Sequence, residues 1–473
     1  MKKYLFILGI VGTALFTACS TADDLVSEKP NETPPVEEPK ETAIIVEASQ
    51  DSEEPITLGI GQSRGYTRTP LNSTEVDVEG YGNFTTEDGR YIGVFCLATG
   101  TQTGVSNIPT AVASNHWSAD DNGQLGGLLV KLKDVPAKVT NSGSTYSFKF
   151  WRITGDKEEH YYYPMGNLMK YNFYAYYPQT NSSSINIEEI GEAENQKSKV
   201  EVTGYEIDGS QDLIWGMSDQ EHATPVAASG ADPYCAKYFR LAREAAGGGD
   251  ISAYYPEFKF NHQLVQFNFF VKAATDDAFT ALTATKAKIT DMYIDNAIYK
   301  LKFCVASQAD GFNDCQLTKD GDLAAVTTQL GIKKRLTNDN VFSGSYNQWV
   351  KEANDVVSPQ TVSNGYVGYI MLPSPNVNVT GDPSFKYRLV MKMIYDGSPG
   401  SDEVSIELTP PLVPGTGTDP VTNPERYEFL ANHSYNIIVR VVSPEEIFAT
   451  AVLQEWETYV DGSSNPFINY EVE

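Results

Sequence analysis

The chain has 473 residues and a formal net charge of −27 at pH 7, with 62 acidic against 35 basic side chains. A surface this negative repels nucleic acid and anionic lipid, which excludes a nucleic-acid partner. The five cysteines form no Cys-x-x-Cys pair and no Cys/His cluster, so neither a metal site nor a cofactor is expected.

Lys2 and Lys3 precede a mostly apolar run from Leu5 to Phe16, and Thr17-Ala18-Cys19 follows. That is the layout of an export signal with a small-residue cleavage site, assigned here to residues 1–18. The run is about half of the ~20 residues that cross a bilayer, so a transmembrane helix is not expected. Cys19, directly after the site, resembles the lipobox cysteine of bacterial lipoproteins, where the sulfur is diacylated. Phe16 stands where that motif more often has Leu. Each buried acyl methylene contributes ~0.8 kcal/mol, so several chains on one residue anchor stably. Ser20 with Asp23 and Asp24 resembles the export tag that carries such lipoproteins to the outer face of the outer membrane. Residues 19–45 are rich in Pro and Glu and poor in apolar side chains. Such a stretch cannot bury enough surface to fold and reads as an extended tether.

From there the chain reads as strand after strand. Phe385 to Tyr395 alternates apolar odd positions with Lys386, Arg388 and Lys392, the period of a half-buried strand. Turn residues Asp396 to Gly400 lead into a second alternating run, Val404 to Leu408, which predicts a hairpin. Similar runs cover Tyr146–Trp151, Tyr171–Tyr177, Phe258–Val271, Gly365–Leu372 and Tyr435–Val442. Within Phe258–Val271 the apolar phase switches between Leu264 and Val265, which predicts either a bulge or a strand passing between two sheets. Helical periodicity is nearly absent. The best helix, around Leu241 to Ala246, is stopped by Gly247-Gly248-Gly249. That glycine run suggests a division into domains 46–245 and 246–473, both all-β. Cys304 and Cys315 flank a loop rich in Asp, Gly and Asn. They form either a disulfide across a hairpin or two buried thiols.

Catalytic chemistry has little support. The histidines are His116, His160, His222, His262 and His433, and none has a ligand or triad partner at a useful spacing. His262 and His433 fall on predicted strands and read as core or edge residues. Adjacent acids such as Glu158-Glu159 and Glu188-Glu189 would point to opposite faces of a strand, unlike the facing carboxylates of a glycosidase. No Gly-x-Ser-x-Gly elbow is present. No catalytic residue is assigned, and the chain reads as a non-enzyme.

Four segments resemble the fimbrillin family of Bacteroidetes pilus subunits. Ile56 to Ile60, followed by Arg64 and Thr67-Arg68-Thr69, is similar to the family's first strand and its Thr-Arg motif. Tyr161-Tyr-Tyr-Pro164 and Tyr171 to Pro178 resemble its aromatic strand ending in Tyr-Pro. Phe258 to Phe267 is similar to its Phe-x-His-x-Leu strand, and His433 to Val439, leading to Trp456, to its closing strands. The resemblance implies two tandem transthyretin-like, Greek-key β-sandwich domains and assembly with other pilin subunits by strand exchange. In the family a protease cuts after an arginine, and a partner's strand replaces the released first strand. Here that implies cleavage at Arg68 or Arg64 and displacement of a strand containing Ile56, Leu58 and Ile60. An uncut member would stay on the membrane as an anchor. The segment from Ile447 to Glu473 would be a donated strand in a stalk subunit, or else a final strand of its own domain. The expected setting is the cell surface, with a host or bacterial surface ligand. The alternative is a tethered glycan-binding lipoprotein of a polysaccharide-uptake system, requiring an exposed aromatic face built from Trp117, Trp151 or Trp349. A glycoside hydrolase is a weaker third reading.

Overall fold

Alternating sequence becomes sheet throughout the computed structural model. It describes residues 54–59, 75–77, 83–85, 91–99, 117, 129–142, 145–163, 170–180, 183–190, 197–218, 223–226, 233–308, 317–333, 349–351, 365–397, 400–413 and 426–454. These residues form an all-β fold with a few short helices, and they lie in one compact unit, 47–473. Among them no helix is long and apolar enough to cross a membrane.

The largest sheet has seven strands. From edge to edge these are Lys259–His262, Ile214–Ser218, Tyr171–Tyr177, Ile92–Ala98, Val130–Ser142, Thr145–Arg152 and Lys157–Glu158. Every pairing in it is antiparallel. A four-stranded sheet, ordered Leu317–Lys319, Lys300–Ser307, Lys197–Glu206, Ser184–Ile190, packs on it through aromatic rings. The Tyr176 ring meets Phe303 edge-on at 5.2 Å and Tyr205 at 6.2 Å. Trp215 Nε1 donates to the Val305 carbonyl across the same interface at 3.3 Å. Tyrosines thus become core; Tyr205 fills a gap between the layers while its hydroxyl donates to Pro178 O at 2.9 Å.

Two further four-stranded sheets complete the framework. One is ordered Tyr366–Leu372, Val265–Ala273, His433–Ser443, Glu446–Gln454, and the other Thr327–Gly331, Lys288–Ile298, Arg388–Ile394, Asp402–Glu407. The Phe267 ring joins them, 6.1 Å from Tyr387 and 4.9 Å from Phe429. Val265–Ala273 is buried along its whole length and pairs in parallel with His433–Ser443, Phe267 standing opposite Tyr435. The predicted hairpin is present, with Met391 opposite Val404. The phase switch at Leu264/Val265 is a strand changing sheets, since Lys259–His262 and Val265–Ala273 belong to different ones. A second crossing, between Lys288–Ile298 and Lys300–Ser307, leaves no mark in the sequence pattern. Helix Ala236–Ala245 ends at the glycine run, where Gly247 and Gly248 take φ of +59° and +82°. Strands on either side of that run pair with one another: Ile214–Ser218 with Lys259–His262, and Lys197–Glu206 with Lys300–Ser307.

One charged group sits uncomfortably in this framework. Asp134, at φ +52° beside a register shift in its strand, points its carboxylate toward the Tyr176 ring. Gly93 opposite has no room for a side chain, because a Cβ there would lie 2.2 Å from Asp134 Oδ1. Burial pushes the Asp134 carboxyl up to about 6, against hydrogen bonding from Tyr176 and Gln179. Its folded-state value therefore exceeds the unfolded one, so the folded chain loses stability as pH rises from about 4 to about 6. Asp134→Asn removes the charge and keeps a side chain that tolerates positive φ. We expect it to raise unfolding free energy by on the order of 2–3 kcal/mol above pH 7, with no gain below pH ~4. Urea unfolding at the two pH values measures this.

Candidate functional site: the slot filled by residues 54–59

Glu54, Ile56 and Leu58 are buried, while Pro55, Thr57 and Gly59 between them are half-exposed. This is the period of a strand with one face in the core. Its backbone bonds go to three other segments. Ile56 N–H donates to Tyr161 O at 2.7 Å, Tyr163 N–H to Glu54 O at 2.9 Å, and Gly59 N–H to Pro256 O at 2.9 Å. Pro55 stands opposite Tyr162 and Leu58 opposite Phe148, both antiparallel, and Gly59 runs parallel to Glu257. Phe148 lies in Thr145–Arg152, near one edge of the seven-stranded sheet, and Glu257 directly precedes Lys259–His262 at the other edge. Residues 54–59 therefore bridge the two margins of that sheet.

The slot is lined by aromatic rings. Phe148 lies 6.3 Å from Phe258 and 6.5 Å from Phe260, and Phe150 meets Tyr161 edge-on at 5.1 Å. Ile56 and Leu58 belong to the same buried cluster as these rings. Burying the two aliphatic side chains contributes roughly 3–6 kcal/mol, against about 1 kcal/mol for each backbone bond.

Each end of the slot has its own constraint. At one end Arg243 Nη1 lies 2.6 Å from both carboxylate oxygens of Glu54. The Glu54 side chain is 11% exposed and that of Arg243 42%. Helix Ala236–Ala245 aims the guanidinium by burying Tyr238, Phe239 and Ala242. Phe239 stacks on Tyr163 at 5.1 Å, and Tyr163 is itself bonded to the slot strand. Beside it, Tyr161 Oη donates to Glu159 at 2.9 Å, and burial, helped by that carboxylate, pushes its hydroxyl up to about 12. At the other end Gly59 is confined: a Cβ would lie 3.1 Å from Glu257 Cγ and 3.3 Å from Tyr255 Cβ.

The remaining predicted positions are scattered. Cys19, Ile60, Arg64, Arg68 and Cys315 lie outside the described residues. Cys304 is buried, with its thiol 3.4 Å from Ala306 O. His262 is buried against Asp212, its Nδ1 meeting Oδ2, and His433 Nδ1 lies 2.8 Å from Ala431 O. Glu446–Gln454 pairs with His433–Ser443 of its own sheet, whereas residues 455–473 are outside the described part. The tryptophan platform is corrected. Trp117 is buried with Nε1 on Ala98 O at 2.9 Å, half-buried Trp349 donates to Ala287 O at 2.9 Å, and Lys138 Nζ covers the Trp151 ring at 3.4 Å. Among the described residues no group of three or more His, Cys, Asp or Glu could hold a metal ion. A cavity of about 510 Å³ is lined by Asn376, Val377, Phe385, Lys386, Tyr427 and Glu428 among others. Glu54 and Arg243 went unnoticed in the sequence, where 189 residues separate them.

No family model and no curated protein matches the chain. It is similar to several solved structures at low identity. One is a candidate cell adhesion protein from Bacteroides uniformis, at 10% identity and TM-score 0.39, covering 86% of this chain and 99% of that one. The tip fimbrial protein Mfa3 of Porphyromonas gingivalis, truncated at its C-terminus, gives 8% and 0.30, over 78% and 94%. The fimbrial anchor protein Mfa2 of the same organism gives 9% and 0.27, over 85% and 99%. These are adhesion and fimbrial proteins, not enzymes.

If the slot is filled chiefly by burial, Ile56→Ala and Leu58→Ala should each cost about 2–4 kcal/mol. Thr57→Ala, on the outer face, should cost under about 0.5 kcal/mol. Denaturant unfolding of the three variants measures the contrast.

Proposed function

We propose that the chain is a structural and adhesive subunit of a cell-surface pilus, exported as a lipoprotein through Cys19 and assembled by exchange of the 54–59 strand. The observation that carries this reading is the slot. A segment that bonds to both margins of one sheet and buries alternate side chains holds a place that another strand of the same pattern could take. The sequence adds arginines at 64 and 68, a few residues beyond that strand. A cut there would detach residues 19–64 or 19–68 from the folded part and leave the slot open to a neighbouring subunit. An uncut chain would keep its lipid and serve as the anchor.

The test is limited trypsin digestion of the full-length mature protein, followed by electrophoresis without boiling. Cleavage after Arg64 or Arg68 should be followed by a ladder of stable oligomers, absent from an R64Q/R68Q double variant. A cut chain that stays monomeric overturns strand exchange.

The glycan-binding alternative retains one supporting feature, the 510 Å³ cavity with Tyr427, 68% exposed, beside Asn376 and Glu428. Exposed aromatic faces next to amide and carboxylate groups suit sugars. On that reading soluble polysaccharides should retard the wild-type protein in affinity electrophoresis and Tyr427→Ala should abolish the retardation. No retardation by any polysaccharide removes the alternative.

A further inference from the structure

The slot accepts its strand in a fixed order of side chains: an acid at 54, aliphatic groups at 56 and 58, and glycine at 59. The acid and the glycine are constrained from opposite ends, by Arg243 and by the side-chain stems of Tyr255 and Glu257. We propose that Arg243 is a specificity-determining residue of the slot. It would select incoming strands that carry a carboxylate two residues before the first buried aliphatic side chain, so that a partner strand reads acid-x-aliphatic-x-aliphatic-glycine. This inference rests on the strand-exchange reading above.

Three observations carry it. The Glu54 carboxylate is mostly buried, and a buried carboxylate needs a charged, hydrogen-bonding partner within reach. Arg243 is not a loose surface residue. It lies one helical turn after Phe239, whose ring stacks on Tyr163 in the wall of the slot, so guanidinium and wall hold one position. The two end constraints also fix register. A slip of one residue would turn the aliphatic side chains outward and drive a Cβ into the space at Gly59. A strand with Lys or Arg in place of the acid would meet like charge, so the slot rejects as well as accepts.

The test uses the full-length chain with a site-specific protease sequence inserted after Gly65. After cutting, the chain is exposed to fluorescent peptides of residues 50–62 carrying Glu54, Glu54→Gln or Glu54→Lys. Release of each bound peptide is followed by anisotropy. From the Arg243 chain the Glu54 peptide should leave at least tenfold more slowly than the Gln peptide, and the Lys peptide should not be retained. R243E should reverse the order and retain the Lys peptide, and R243Q, kept in case R243E does not fold, should make the Glu and Gln peptides equal. Equal release of the Glu and Gln peptides from the Arg243 chain overturns this inference and leaves strand exchange standing. Uptake of no peptide by any cut chain overturns strand exchange and this inference with it.

Discussion

The first sheet cannot finish itself. Its seven strands end in two margins, at Thr145–Glu158 and at Glu257–His262, whose rings Phe148, Phe258 and Phe260 approach one another without backbone pairing between them. Unpaired edge groups next to apolar rings are costly, because water must satisfy the first and be kept from the second. Residues 54–59 resolve that conflict. They donate to Tyr161 and Pro256, accept from Tyr163, and bury Ile56 and Leu58 in the cluster that holds these rings.

The helix Ala236–Ala245 gains a role from this arrangement. It spans one margin of the slot, anchored by Phe239 on Tyr163 and by Tyr238 on Tyr254 at 6.0 Å. Its N-cap residue makes no side-chain capping bond, so tertiary packing, not local sequence, holds it. The glycines after it let the chain turn back toward Phe258 without straining a side chain.

Part of the fold was legible in the sequence because some strands keep a wet face. Arg388–Ile394 and Asp402–Glu407 announced themselves by alternation, and the phase switch at Leu264/Val265, read as a bulge or a change of sheet, is a change of sheet. The parallel pairing of Val265–Ala273 with His433–Ser443 was hidden, since a strand buried on both faces shows no alternation to read against its partner. The crossing after Ile298 was hidden for another reason: Lys300–Ser307 pairs with Lys197–Glu206, about a hundred residues upstream, and local pattern carries no such distance. Ile56 and Leu58 were visible as an aliphatic alternation near the arginines. The Glu54–Arg243 pair was not, because either residue alone looks like solvated charge. The tryptophans misled in the opposite direction, because ring size says nothing about which side of a sheet the ring occupies. Trp117 is inside, satisfied by Ala98 O.

On the strand-exchange proposal, burial of alternate side chains has consequences for how the strand could be replaced. While covalently joined, residues 54–59 would compete for the slot at the high effective concentration that a tether gives, on the order of millimolar. A free strand of equal fit would rarely win against that. Severing the connection removes the advantage without touching the slot, so the occupant that leaves is diluted away. The rings left behind favour whichever strand restores their cover. Spontaneous loss before severing is opposed by the need to expose Ile56 and Leu58 together and to strip Glu54 from Arg243. On the strand-exchange proposal such a slot would hold its strand until the cut and accept another afterwards, because side-chain burial favours any strand of the same pattern.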